Sequence, residues 1–255
     1  MELYSCSVAR AAKQSKNTGK KSSAKGAPRR RIRPFRWLLG HGWRLVLILL
    51  LAFLGIIALH GMVKPWGGIY MASEARRLGG VERQWVAMEE IAPVMARSVV
   101  AAEDANFCLH WGVDMSAIRD AIADGGQRGG STISQQVVKN VYLWHGRTYT
   151  RKAMETVLTP VVEAFWSKRR VLEVYLNIAE FDEGVFGVEA AGQHYFGVDA
   201  ADLSARQAAL MAAILPSPQS RSASNPGEYT RRRANAIQDG AATIQRDGRA
   251  DCFSG

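Results

Sequence analysis

Gly129-Gly130-Ser131-Thr132-Ile133-Ser134-Gln135-Gln136-Val137-Val138-Lys139-Asn140 is a glycine turn that opens a helix. Ser131 or Thr132 is the N-cap, because a hydroxyl there accepts a bond from a free N–H of the first turn. Ile133, Val137, Val141 and Tyr142 then share an inner face. Gln136, Lys139 and Asn140 share the opposite one by their three- and four-residue spacing. A helix N-terminus with unpaired N–H groups favours an anionic ligand. The Gly-Lys-Ser/Thr ending of a nucleotide P-loop is missing. Taken alone, the segment also describes an ordinary capped surface helix.

Upstream, Glu103-Asp104-Ala105-Asn106-Phe107-Cys108-Leu109-His110-Trp111-Gly112 sets two acids at the end of an apolar stretch, beside an aromatic and a histidine. Adjacent acids on a helix point about 100° apart, so one faces a cleft while the other braces the backbone. A carboxylate in a partly apolar wall holds its proton more tightly and suits general-base work. Downstream, Arg147-Thr148-Tyr149-Thr150-Arg151-Lys152-Ala153-Met154-Glu155 gathers three cations and one acid, with Arg151 and Glu155 spaced for a helix ion pair. Trp85, Met88, Ile91, Met95 and Val99 make one apolar face of a helix over 84–102, which Pro93 kinks or divides. Further helices are expected over 151–164 (interrupted near Pro160), 168–179, 204–215 and 229–245. Strand-type alternation is scarce and no internal repeat is present, so the domain is mainly α.

The chain has 33 Lys and Arg against 23 Asp and Glu, a net charge of +10. Twelve of those bases and one acid fall in residues 1–44, leaving 21 bases against 22 acids in the rest. The folded part is nearly neutral, which argues against nucleic acid as a partner and makes 1–44 a basic, disordered arm. Leu45 to Val63 follows, 19 residues with no formal charge. It spans about 28 Å at helical rise, enough for one transmembrane helix. The basic flank faces a lone Lys64 beyond it, which orients the N-terminus to the cytoplasm and the bulk of the chain outside. Residues 64–80 form a juxtamembrane connector, 81–238 the main domain and 239–255 a tail with no assignable role. Of Cys6, Cys108 and Cys252, the last two share the oxidising side, but nothing in the sequence pairs them. No Cys or His shows metal-ligand spacing, so no metal site is assigned.

In this order the segments resemble glycosyltransferase family 51, the peptidoglycan polymerases, through their E-D-x-x-F-x-x-H-x-G, G-G-S-T-I-x-Q-Q-x-x-K-N, R-K-x-x-E and Y-L-N motifs. The likeness runs from about Val81 to Arg233, including Ala179-Glu180-Phe181 and Leu215-Pro216-Ser217-Pro218. With one anchor and no Ser-x-x-Lys beyond residue 65, the chain is similar to the monofunctional form. The resemblance implies a lysozyme-like helical glycosyltransferase domain behind one transmembrane helix. It also implies a reaction that joins lipid-linked disaccharide-peptide (lipid II) into β-1,4 glycan strands and releases polyprenyl diphosphate.

Residue by residue, it makes Glu103 the general base and Glu155 the second catalytic carboxylate, which orders the cations directly or through a divalent metal, magnesium or manganese, near the diphosphate. Lys139, Arg147 and Arg151 bind substrate. Ser131, Thr132, Gln135 and Gln136 contact substrate or shape the cleft. Asp104, Phe107, His110 and Asn140 support the site. Implied partners are lipid II, the growing lipid-linked chain, membrane lipid and other cell-wall synthesis proteins. The implied location is a bacterial inner membrane with the catalytic domain periplasmic. Two rival readings are a lysozyme-like enzyme that cuts glycan and a non-catalytic cell-wall scaffold. A glycan-cutting enzyme needs a protonated acid, whereas Lys139, Arg147, Arg151 and Lys152 favour ionised carboxylates.

Overall fold

The computed structural model describes residues 34–123, 125, 130–144, 146 and 148–254, in two units, 1–48 and 49–255. The basic arm up to residue 33, together with Gly129 and Arg147, lies outside the described residues. Helix α1 (Pro34–His60) carries the apolar run. Within it, His41–His60 spans 20 residues and holds an 18-residue stretch of mean hydropathy 2.5, long and apolar enough to cross a membrane. In the first unit every described side chain from His41 to Ile48 is exposed. The apolar run extends to Val63, but the helix closes at His60. There the N–H groups of Gly61, Met62 and Val63 turn back onto carbonyls of residues 57–59.

The second unit begins inside α1, whose last turns pack on the domain. Trp166 Nε1 donates to the Ile57 carbonyl at 2.7 Å, and His60 Nδ1 lies 3.1 Å from the Tyr142 hydroxyl. Ile57 is fully buried. The connector folds as α2 (Gly68–Leu78). Its start presses on the end of a later helix so closely that a Cβ on Gly68 would sit 1.8 Å from the Asn140 carbonyl oxygen. Only glycine serves there, because φ is +84° as well.

The expected helix over 84–102 is shorter in the structure. Strand β1 (Glu82–Arg83) and a 3-10 turn (Met88–Glu90) come first, and α3 runs Pro93–Glu103. Proline fixes φ and lacks an N–H, so it suits a helix's first turn and biases the preceding residue to extended backbone. Ala92 is extended accordingly (φ −51°, ψ 124°). The periodicity still located the core, since Met88, Ile91, Met95 and Val99 are all buried.

Beyond it lie α4 (Met115–Ala123), α5 (Ile133–Tyr142), α6 (Tyr149–Phe165), α7 (Lys168–Ile178), α8 (Val188–Phe196), α9 (Ala205–Ile214) and α10 (Glu228–Arg246). Helices α3, α9 and α10 pack together, and α5 packs against both α6 and α7. Helix α9 buries Ala208, Ala209, Ala212 and Ala213, small residues that let helices approach closely. Strands β2 (Glu180–Asp182) and β3 (Val185–Phe186) join β1 in the order β1-β3-β2, with β1 parallel and β2 antiparallel to β3.

Two further expectations change. Helix α6 passes through Pro160 without interruption, on a half-exposed side where the freed Thr156 carbonyl can meet solvent. And α10, matching the helix expected over 229–245, runs past the boundary drawn at 238/239, with Ala234, Ile237, Ala241 and Ile244 recurring at three and four residues and all buried. The tail is therefore the end of a packed helix plus a short C-terminal segment.

Candidate active site

Glu103 is the last residue of α3, and its side chain is 14% exposed. Its Oε2 accepts from Gln136 Nε2 of α5 at 3.0 Å, and Gln136 Oε1 accepts in turn from the Tyr175 hydroxyl of α7 at 3.3 Å. Oε1 lies 3.5 Å from Arg233 Nη2 of α10. Burial pushes the Glu103 carboxyl above the usual glutamate range; the Gln136 bond and the charges of Arg233 and Lys139 pull it back only in part.

The neighbouring acid points elsewhere, because the backbone leaves the helix at Asp104, the C-cap of α3 (φ −161°, ψ 68°). Its Oδ1 meets His110 Nε2 at 2.8 Å, and its Oδ2 accepts from the Ile133 N–H at 3.0 Å. Asp104 thus joins the end of α3 to the start of α5. Phe107 is fully buried, edge-on to the His110 ring. Gly112 completes the loop at φ +83°, where a Cβ would clash with Thr159 at 2.6 Å, and its carbonyl accepts from Thr132 Oγ1 at 2.5 Å.

Thr132 is the N-cap of α5. Its hydroxyl accepts from the Gln135 N–H at 3.2 Å, and Gln135 Oε1 accepts from the Thr132 N–H at 3.0 Å. Both are buried, at 3% and 2% exposure, so these two shape the cleft and do not face it. Ser131 accepts instead from Lys152 Nζ at 2.8 Å.

Glu155 is buried in α6, with Arg151 Nη1 2.7 Å from Oε2 and Lys152 Nζ 2.5 Å from Oε1. Arg151 Nε also donates to the Gly146 carbonyl at 2.6 Å. Lys139 feels the charges of both this cluster and Glu103. Burial lowers its pKa, Arg151 and Lys152 lower it further, and Glu155 and Glu103 oppose them.

A cavity of about 620 Å³ opens beside these groups. Gln136, Lys139 and Asn140 of α5 line one wall, facing Tyr70, Tyr175, Glu180 and the Leu215–Ser220 segment. Glu103 stands behind Gln136 at this wall and does not line the cavity itself. The structure thus brings Glu103, Gln136 and Lys139 together, with Arg151, Lys152 and Glu155 near enough to act on the Lys139 charge and Ser131 bonded to Lys152.

The sequence did not single out Arg233, whose Arg231-Arg232-Arg233 run reads as a solvated helix face, nor Tyr70. Their proximity to the site is set by helix packing, for which no local signal exists.

Chemically, the arrangement offers one desolvated carboxylate able to take a proton, and beside it a lysine and an ordered cation pair able to hold an anion. That describes a site for group transfer to a hydroxyl with an anionic leaving group. Residues 72–242 match the family described as Transglycosylase. The chain is 70% identical over 186 residues to a biosynthetic peptidoglycan transglycosylase of Jannaschia sp. (strain CCS1), covering 73% of this chain and 78% of that protein. To the protein of the same name from Caulobacter vibrioides it is 42% identical over 214 residues, covering 82% and 93%. To that of Rhizobium meliloti it is 47% identical over 197 residues, covering 76% and 83%. The chain belongs to the transglycosylase family.

Proposed function

We propose that this chain is a peptidoglycan glycosyltransferase that polymerises lipid II into β-1,4 glycan strands. The observation that carries the reading is the desolvated Glu103 carboxylate set beside Lys139 and the Glu155-ordered cations, in a chain of this family. Glu103 removes the proton from the acceptor sugar's 4-hydroxyl. That oxygen attacks the anomeric carbon of the growing chain, and the bond to polyprenyl diphosphate breaks with its electron pair leaving on the diphosphate. Lys139, Arg147 and Arg151 stabilise the developing charge in a site where burial strengthens each interaction. One displacement inverts the donor's α linkage to β. Gln136 aims Glu103, Ser131 aims Lys152, and Asp104 with His110 holds the loop that carries the base.

The family resemblance also raises a divalent cation. Both oxygens of Glu155 accept from Arg151 and Lys152, which supports direct ordering of the cations. The domain acts on the periplasmic face of a bacterial inner membrane, held by the His41–His60 span with its N-terminus cytoplasmic. Supporting this are the charge asymmetry about the span and a Cys108–Cys252 disulfide, a bond suited to an oxidising compartment. Its basic arm contacts anionic lipid and other cell-wall synthesis proteins.

The test is full-length protein with purified lipid II and, separately, finished glycan strands. Wild type is expected to polymerise lipid II, and Glu103→Gln to lose about 100- to 10,000-fold in turnover, the usual contribution of a general base. Strand cleavage without polymerisation would refute the reading in favour of a glycan-cutting enzyme.

A further inference from the structure

The C-terminal segment makes contacts that the proposed chemistry leaves unused, and they converge on one loop. Cys252 is disulfide-bonded to Cys108 across 144 residues of sequence. Phe253 is buried with its ring centroid 6.3 Å from that of Phe107. Arg249 Nη1 donates to the Ala105 carbonyl at 3.2 Å. Arg169 Nη1, from α7, donates to the Phe253 carbonyl at 2.9 Å and fixes the segment from its other side. Thus three successive points of the 105–108 loop are each held by the C-terminus, directly after Glu103 and Asp104.

The contacts continue toward the base. Phe107 lies edge-on to His110, whose Nε2 meets Asp104 at 2.8 Å, and Asp104 also accepts from the first N–H of α5. A shift of the loop would move Asp104 and, through the peptide it shares with Glu103, the base's alignment on Gln136. We propose that residues 247–254 are a strap whose disulfide and Phe253 position the Glu103 loop for catalysis. Cys108, Cys252 and Phe253 are therefore positioning residues, and turnover depends on the oxidised bridge. This rests on the reading of Glu103 as the base.

The experiment compares full-length wild type, Glu103→Gln, Phe253→Ala and the double variant Cys108→Ala/Cys252→Ala in detergent micelles. It records initial rates over a range of lipid II concentrations, and Tm for each protein. In the double variant, kcat is expected to fall about tenfold or more, since displacement of a reacting group by 1 Å can cost ~100-fold, with KM within about twofold of wild type. Phe253→Ala loses part of the same kcat with the bridge intact. Dithiothreitol, which reduces the bridge to two thiols as it closes to its own cyclic disulfide, brings wild type to the double variant's kcat. Oxidised glutathione restores it, and the double variant ignores both reagents. If the double variant does not fold, reduced wild type and Phe253→Ala carry the test.

A lower Tm with kcat unchanged well below that Tm would overturn the strap and leave a plain stability staple. Wild type that made no glycan, or Glu103→Gln that still did, would instead overturn the reading of the site and the strap's purpose with it.

Discussion

Gln136 at 3.0 Å and Arg233 at 3.5 Å hold the two oxygens of Glu103 against a burial that favours its protonated form. Because the base works only when ionised, activity falls on the acid side of its pKa. Arg233→Met removes a cation that stabilises the anion, so the pKa rises and the acid limb of kcat/KM moves to higher pH. At a pH below the limb the loss is expected to be about fivefold, from an interaction of about 1 kcal/mol, and the profiles converge at alkaline pH. Arg233→Lys restores part of the shift. A loss that is equal at every pH would reduce Arg233 to a packing residue.

The same residue affects stability. Glu103 binds its proton more tightly in the folded than in the unfolded chain, so its ionisation weakens the fold as pH rises above the ordinary glutamate value of 4.5. Glu103→Gln cannot ionise. It is expected to raise Tm at neutral pH, with the gain vanishing below that value, where both states of the wild type are protonated. Thermal scans at neutral and acid pH check this; a Tm gain that persists in acid would contradict it.

Among the elements, α5 is the one on which the site is assembled. Thr132 and Gln135 close its capping box, Asp104 accepts from its first N–H, and the polar face that the spacing predicted carries Gln136, Lys139 and Asn140. Its C-terminal end is backed by α2, with Gly68 pressed on the Asn140 carbonyl. Gly68→Ala forces a Cβ into backbone at a positive φ, and is expected to destabilise the protein by more than about 2 kcal/mol, measured by denaturant unfolding. Lipid II turnover should fall with it at temperatures where the variant is still folded, because α5 carries Lys139 and Gln136. The capped start of α5 could be read from Gly-Gly-Ser-Thr alone. The contact with α2 could not, since nothing in the connector shows what its glycines touch. Pro93 and Pro160 make the same point from opposite sides. Each predicts a helix boundary or bend, yet only Pro93 sits where a new helix begins, and α6 tolerates Pro160 because its unpaired carbonyl is not sealed in the core.

At the scale of the molecule, the apolar N-terminal helix also belongs to the domain core through its last turns. Ile57 is fully buried, its carbonyl takes the Trp166 indole N–H, and His60 pairs with Tyr142. A chain starting at Leu49 is expected to keep the stability of the full-length protein in detergent. One starting at Gly61 loses about 3 kcal/mol from the missing isoleucine burial and hydrogen bonds, visible as a lower Tm. Equal Tm values for the two would show that α1 only tethers the domain.

The sequence by itself determined the charge-segregated arm, the single apolar span, the mainly helical domain and the motifs that place the chain in its family, because each is a matter of local composition or periodicity. It also singled out Glu103, Lys139, Arg151 and Glu155, which the fold brings to one neighbourhood. Only the tertiary structure decided that Arg233 faces Glu103, that Thr132 and Gln135 turn inward, and that Cys108 pairs with Cys252. The first and last of these depend on which elements meet across more than 100 residues of chain, and the second on how the Gly112 loop packs over the start of α5, choices with no signature in any short stretch.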